Sequence, residues 1–194
     1  MNISWLALNE EILSCARCPL AAGIKNKVPG QGNQDARLML IGEGPGAQED
    51  QQGIAFIGAA GQLLTRVLAA IHLNRDEVFI SNVVKCRPPN NRVPQPTEME
   101  ACLPFLRAQT ALIRPQVILL LGATALRAIL GPGKRITNCR GEWVLSKGVF
   151  ILPTYHPAAL LRDPAKKRDA WQDLQKVKAK LDELGPKSGE NKPV

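Results

Sequence analysis

Four short apolar segments, separated by stretches with helical periodicity, constrain the fold of this 194-residue chain more than any other feature. Their aliphatic and aromatic content is typical of buried strands. The segments cover residues 37–41, 78–83, 116–121 and 149–152. Helical patterns cover residues 62–71, 98–113 and 166–184. Since strands that alternate with helices form parallel sheets covered on both faces, we predict an α/β fold: a three-layer α/β/α sandwich around a mostly parallel four-stranded sheet.

Local signals place the ends of two of these helices. Thr97, followed by Glu100, predicts a capping box before the helix over 98–113. Gly185 and Pro186 predict the end of the last helix, whose inward-facing stripe is expected to include Trp171. We therefore expect one domain over 1–185 and a flexible tail over 186–194.

Polar residues follow three of the four predicted strands. Glu43 lies in a glycine-rich turn after the first strand, Asn82 ends the second, and His156 follows the fourth. In parallel α/β sheets, ligands bind beyond the carboxyl ends of the strands. The sequence therefore predicts that these three side chains gather at one edge of the sheet.

The glycine-rich turn also fits the G-x-G-x-x-G/A pattern of dinucleotide-binding proteins over residues 42–47. Two features argue against that function. The next periodic helix begins near Gly61, so no helix N-terminus is expected at the turn. The acidic residue required about 20 positions later is missing, because Asp50 comes too early and Asp76 too late. Residues 131–135 lack both the spacing and the preceding strand of a phosphate-binding P-loop.

Four of the five cysteines are placed so that they can form one centre. Cys15 and Cys18 are close together, whereas Cys86 and Cys102 flank a basic, proline-rich loop. Four thiolates suit a tetrahedral metal ion or an iron–sulfur cluster. A zinc ribbon would use two close pairs, and scattered buried thiols are the remaining alternative. We interpret Cys139 as structural or incidental.

The net charge and the composition limit the kinds of molecule that this chain is expected to bind. The formal net charge of +8 and the pI of about 9.5 favour a polyanionic partner, most simply nucleic acid. No apolar run approaches the roughly 20 residues of a membrane span, so we expect no membrane partner. The N-terminus does not resemble a secretory signal. Five cysteines without export favour a reducing compartment, and we predict a cytoplasmic protein that acts as a monomer.

Four stretches together resemble the family 4 uracil-DNA glycosylases, and the similarity covers nearly the whole chain. They are GEGPGAQED (42–50), AFIGAAGQLL (55–64), NVVKCRPPNNR (82–92) and YHPAALLR (155–162). That family has an α/β/α fold, removes uracil from DNA and holds a [4Fe–4S] cluster with four cysteines. The resemblance therefore implies a [4Fe–4S] cluster bound by Cys15, Cys18, Cys86 and Cys102.

The resemblance also implies a hydrolase that flips uracil out of DNA and cleaves its N-glycosidic bond, which initiates base excision repair. We expect His156 to stabilise the negative charge that develops on uracil O2. Glu43 is expected to position or activate the attacking water, or to favour the cationic sugar. The catalytic pair is thus predicted to be Glu43 and His156.

Four residues are expected to hold the flipped base. Phe56 would stack on the ring, and the Gly44 backbone would contact it. The Asn82 amide would donate to uracil O4 and accept from N3–H, so cytosine, with the reverse pattern, would leave both groups unpaired. Glu49 is expected to crowd C5 and thereby to exclude the methyl group of thymine.

The expected partner is uracil-containing DNA, single- or double-stranded. Phosphate contacts fix position without identifying sequence. We predict them for three basic residues of one loop: Lys85, Arg87 and Arg92. One of three residues after the His-Pro turn is expected to enter the gap left by the flipped base: Leu160, Leu161 or Arg162. A non-catalytic nucleic-acid-binding module is the alternative, and it would not need three polar residues at strand ends.

Overall fold

The computed structural model describes residues 4–187, which contain one mixed six-stranded sheet. In chain order its strands are β1 (Gln31–Gly32), β2 (Leu38–Gly42), β3 (Phe79–Asn82), β4 (Val117–Leu121), β5 (Val144–Ser146) and β6 (Val149–Thr154). Across the sheet the order is β1-β3-β2-β4-β6-β5. The four inner strands are parallel, and the two outer strands pair antiparallel with their neighbours.

The predicted fold class is confirmed, with one correction to the sheet. The four predicted strands form its parallel centre, and each lies within two residues of its predicted bounds. The sheet has six strands rather than four because β1 and β5 extend its edges. These edge strands have two and three residues, and β5 is exposed along its length, so neither has a buried apolar pattern.

Eight α-helices accompany the sheet in the described part of the chain. They are α1 (Trp5–Ser14), α2 (Ala47–Gln52), α3 (Ala59–Ala70), α4 (Pro96–Ile113), α5 (Gly122–Leu130), α6 (Ile136–Cys139), α7 (Pro157–Arg162) and α8 (Lys167–Leu184). Alternate strand residues pack on opposite faces of the sheet. Met39 and Ile41 join the core beneath α1 and α4, whereas Leu38 and Leu40 join the core beneath α3 and α8. Both faces of the inner strands are therefore buried, which explains their continuous apolar sequence.

Two expectations about helix starts were wrong. Helix α4 begins at Pro96, and the Gln95 amide donates to the Glu98 carboxylate at 2.7 Å, so Thr97 and Glu100 do not form the cap. Proline suits the first helical position because it has no N–H to leave unpaired. The glycine-rich turn is followed directly by the short helix α2, although no helix was expected there.

The C-terminal segment is packed against the sheet. Trp171 is 38% exposed, contrary to the prediction, and Asp173 faces inward instead. The Asp173 carboxylate accepts hydrogen bonds from Arg140 and from Thr154, the last residue of β6. Lys187 forms an ion pair with Asp35, and the rest of the expected flexible tail, 188–194, lies outside the described residues. No described helix combines the length and the apolar character needed to cross a membrane.

Candidate active site and cysteine centre

The carboxyl ends of the inner strands form one wall of a cavity of about 570 Å³. Gly42 of β2 pairs with Asn82 of β3, and Leu121 of β4 pairs with Thr154 of β6, so the strand ends are level. The cavity is lined by all three polar residues that follow predicted strands: Glu43, Asn82 and His156. The parallel register thus brings residues that are far apart in sequence to one place.

Asn82 presents an unsatisfied acceptor to this cavity. Its side chain is 1% exposed, and its Oδ1 atom has no hydrogen-bond partner in the structure. A Cβ atom on Gly42 would lie 2.5 Å from that oxygen and 2.5 Å from the Phe56 ring. The carboxamide and the ring therefore meet above a backbone position that only glycine leaves open. Since leaving a buried acceptor unpaired costs about 1–3 kcal/mol, Asn82 is poised for a donor on a ligand.

Phe56 is held in an unusual backbone conformation beside Asn82. Its φ is +53°, in the left-handed region, and its ring centroid lies 5.6 Å from that of His156. The half-buried Arg75 donates from Nη1 to the Phe56 carbonyl at 3.0 Å and from Nη2 to the Ala55 carbonyl at 2.8 Å. These two bonds fix the segment that carries the ring.

His156 caps the short helix α7, which sets the orientation of its ring. Pro157 follows it and has no N–H, so the first free donor is the Ala158 amide, which donates to His156 Nδ1 at 3.1 Å. The acceptor Nδ1 has no proton, and a neutral imidazole must then have its proton on Nε2. Burial, together with the positive charge of Arg162, lowers the His156 pKa to about 4. The side chain is therefore a neutral Nε2–H donor near pH 7.

Glu43 is held by a residue that the sequence analysis missed. The Thr124 hydroxyl donates a short hydrogen bond to Glu43 Oε2. Thr124 is 6% exposed, lies in the first turn of α5 and lines the same cavity. Glu43, Asn82 and His156 were predicted because they lie at the ends of parallel strands, and the residues after β4 also follow a parallel strand. The same reasoning could therefore have found Thr124.

Glu49 lines the cavity, but its carboxylate is occupied by the backbone. Oε1 accepts from the amides of Ile57 and Gly58 at 3.0 and 2.8 Å, and Oε2 accepts from the Gly46 amide at 3.2 Å. Glu49 therefore ties the glycine-rich turn to the segment that follows Phe56. The predicted contact with C5 of a pyrimidine stays a prediction.

The residues predicted to contact DNA divide into two groups. Arg92 and Arg162 line the cavity, and Arg87 lies in the same loop as Arg92, where it donates to Asn91 at 2.8 Å. Lys85 is 2% exposed and cannot reach a phosphate, so that prediction was wrong. Leu160 is also buried, at 5% exposure, whereas Leu161 is 44% exposed. The side chains of Lys85 and Leu160 therefore lie inside the protein.

The four cysteines of the predicted centre line one small cavity between α1, α4 and the loop after β3. Cys139 is not among its lining residues. Burial raises the pKa of Cys86 to about 12, and the charges of Cys102, Cys18 and Cys15 add to that effect, as expected of thiols that face one another. No compact group of three or more metal-ligating side chains occurs among residues 4–187.

Comparison with known proteins identifies the family. Residues 29–175 match the model of the uracil DNA glycosylase superfamily. The chain belongs to this superfamily. It is 44% identical over 184 residues to a type-4 uracil-DNA glycosylase from Thermotoga maritima, covering 92% of this chain and 95% of the relative. It is 45% identical over 175 residues to one from Pyrobaculum aerophilum, covering 86% of this chain and 89% of the relative.

A more distant relative, a type-5 uracil-DNA glycosylase from Pyrobaculum aerophilum, is 31% identical over 182 residues, which cover 77% of this chain and 80% of the relative. The higher identity to type-4 proteins confirms the resemblance found in the sequence motifs.

Proposed function

We propose that the protein is a uracil-DNA glycosylase that hydrolyses the bond between uracil and deoxyribose in DNA and leaves an abasic site. The observation that carries this proposal is the unpaired Oδ1 of Asn82, buried in a cavity that also contains Glu43 and His156. The resulting abasic site is the first intermediate of base excision repair.

Recognition begins after the nucleotide has rotated out of the DNA, at a cost of a few kcal/mol. Phe56 stacks on the ring, and the Gly44 backbone contacts it. Asn82 Oδ1 accepts from uracil N3–H while its amide donates to O4. Cytosine has an acceptor at N3 and a donor at C4, so both pairs would fail together. Glu49 holds the wall next to C5, which limits the space for a methyl group.

Bond cleavage is assisted at both of its ends. As the bond from uracil N1 to C1′ breaks, its electron pair passes to the base, and His156 Nε2–H donates to the developing charge on O2. Glu43, oriented by Thr124, holds the water whose oxygen bonds to C1′, and its carboxylate accepts the proton. A negative carboxylate also favours the cationic sugar of the transition state.

The DNA backbone is held around the cavity mouth. Arg87, Arg92 and Arg162 contact phosphates, which positions the strand without identifying its sequence. Leu161, the exposed leucine of α7, enters the gap left by the rotated base. We further propose that the protein acts as a cytoplasmic monomer on uracil-containing DNA, single- or double-stranded.

A uracil excision assay tests this function. An oligonucleotide with one uracil is incubated with the protein and then treated with alkali, and strand scission at the uracil position is expected. Matched oligonucleotides with thymine or cytosine at that position should stay intact. Thymine carries a methyl group that meets the wall near C5, and cytosine has the reverse hydrogen-bonding pattern at the carboxamide. Binding of the uracil oligonucleotide without scission would favour the non-catalytic binding module.

The four cysteines are proposed to bind a [4Fe–4S] cluster: Cys15, Cys18, Cys86 and Cys102. A cluster at this position would cross-link α1, α4 and the loop after β3. Hydrolysis transfers no electrons, so the contribution of the cluster is structural. The cysteine cavity fits this role because it joins the N-terminal segment to the loop that carries Arg87 and Arg92.

Iron analysis of the purified protein tests the cluster. We expect about four irons per chain and a brown colour with broad absorbance near 400 nm. Cys86→Ser should lose most of the iron, whereas Cys139→Ser, a matched control outside the cysteine cavity, should keep it. A colourless protein with stoichiometric zinc would contradict the proposal.

A further inference from the structure

Lys85 is a fully buried ammonium whose three protons are all used. It is 2% exposed, and Nζ donates to Ser81 Oγ at 2.6 Å, to the Asn82 carbonyl at 2.8 Å and to Gln109 Oε1 at 2.8 Å. An ammonium has three donors, so its hydrogen-bonding capacity is met. All three acceptors are uncharged oxygens. Burying a charge is costly unless its hydrogen bonds are satisfied, as they are here.

The acceptors of Lys85 fix the carboxyl end of β3. Ser81 and Asn82 are the last two residues of that strand. Gln109 belongs to α4, and its Nε2 atom donates to the Pro29 carbonyl at 2.7 Å. The ammonium therefore joins the strand that carries Asn82 to a helix and to the segment before β1. A shift of Asn82 would stretch the bond to its own carbonyl.

The backbone of Lys85 lies against the cysteine cavity. Its amide donates to Cys102 Sγ at 3.3 Å, its carbonyl accepts from the Val28 amide at 2.8 Å, and the next residue is Cys86. One residue thus contacts the cysteine centre through its backbone and the base-binding strand through its side chain.

We propose that Lys85 is a positioning residue that holds Asn82 at the geometry needed for uracil and couples that geometry to the cysteine centre. This inference rests on the proposed role of Asn82. A carboxamide must be placed within about 0.5 Å to make both bonds to a base, because hydrogen bonds weaken steeply away from linear geometry. Three bonds from a buried ammonium to adjacent groups give that precision.

Lys85→Met tests the role, since methionine keeps the length of the side chain and removes the charge and the donors. The comparison variant is Arg87→Met, which removes a basic residue two positions away that is partly exposed. Three quantities are measured for each variant and for the wild type: the affinity for free uracil, the salt dependence of binding to uracil-free DNA, and the iron content.

The expected results separate positioning from phosphate binding. Lys85→Met should weaken free uracil binding by at least about tenfold, because its site loses three charge-assisted bonds. Its salt slope should equal that of the wild type. Arg87→Met should keep the uracil affinity and reduce the slope by about one. Wild-type uracil affinity in Lys85→Met, or a reduced slope, would overturn the inference.

Ser81→Ala provides a milder second variant if Lys85→Met does not fold. It removes one acceptor and leaves the ammonium and all cysteines in place. We expect weaker uracil binding with unchanged iron content, and unchanged uracil affinity would overturn the inference. The proposed function is judged separately, by whether the wild type releases uracil from DNA.

Discussion

Replacing Asn82 by leucine is expected to lower kcat/KM for uracil-containing DNA by about 10⁴-fold. Leucine branches at the same carbon but cannot accept from N3–H or donate to O4. The loss is expected to be large because the N3–H and O4 groups of uracil would be buried without hydrogen-bond partners. The measurement is a single-turnover rate of uracil release at saturating and at limiting enzyme.

The same substitution should leave the folded state at least as stable as the wild type. Oδ1 of Asn82 is buried and unpaired, so its removal takes away an unfavourable group. We expect a gain of about 1 kcal/mol in the free energy of unfolding, measured by denaturant titration. Near-wild-type uracil release by Asn82→Leu would show that another group recognises the base.

Asn33→Leu is the matched control. Asn33 is an exposed asparagine near the opposite end of β3, where its backbone N–H donates to the Val78 carbonyl. Its replacement should change the rate of uracil release by less than about twofold, as is usual for surface positions away from a site. A large loss in this control would mean that uracil release is sensitive to substitutions far from the cavity, and the Asn82→Leu result would then not assign base recognition to Asn82.

The inner sheet could be predicted because the residues that define each strand are adjacent in the sequence. Each buried parallel strand is a short apolar run, and the polar residues that follow lie at one edge by topology alone. Gly42 is an example of a feature that local sequence patterns do not reveal. The sequence suggests a tight turn at this position, whereas the structure shows a missing side chain that lets Asn82 and Phe56 meet. Such a contact depends on three segments and has no local signature.

The wrong predictions for Lys85 and Trp171 have a common physical cause, which is tertiary packing. Lys85 resembles a phosphate ligand in a basic loop, but its side chain turns inward to three acceptors supplied by β3 and α4. Trp171 fits the apolar stripe of α8, yet Asp173 takes the inward position because Arg140 and Thr154 bind its carboxylate. In both cases partners distant in sequence override a local pattern.

Replacing His156 by alanine is expected to slow uracil release by about 10²–10³-fold, the usual effect of losing one donor to a developing negative charge. Binding to uracil-free DNA should be nearly unchanged, since the ring faces the base-binding cavity. His72→Ala is the matched control, because His72 is the only other histidine and is exposed. Equal rates in the wild type and His156→Ala would assign the leaving-group role elsewhere.

The pH dependence distinguishes a neutral from a charged His156. Its folded-state pKa of about 4 lies below the usual value of 6.5, so the unfolded chain binds the extra proton first as the pH falls. The contribution of His156 to stability is therefore complete above pH 6.5 and is lost between 6.5 and about 4. Protonation also removes the Nδ1 acceptor of the Ala158 amide and with it the ring orientation.

Uracil release should thus be insensitive to the titration of His156 from pH 8 to about 5 and fall as the pH approaches 4. The unfolding free energy of His156→Ala should depend less on pH than that of the wild type between 6.5 and 4. A rate that follows an ionisation near 6.5 and requires His156 would contradict a neutral donor. It would mean instead that the imidazolium meets the charge on O2, with the Ala158 contact broken in the active form.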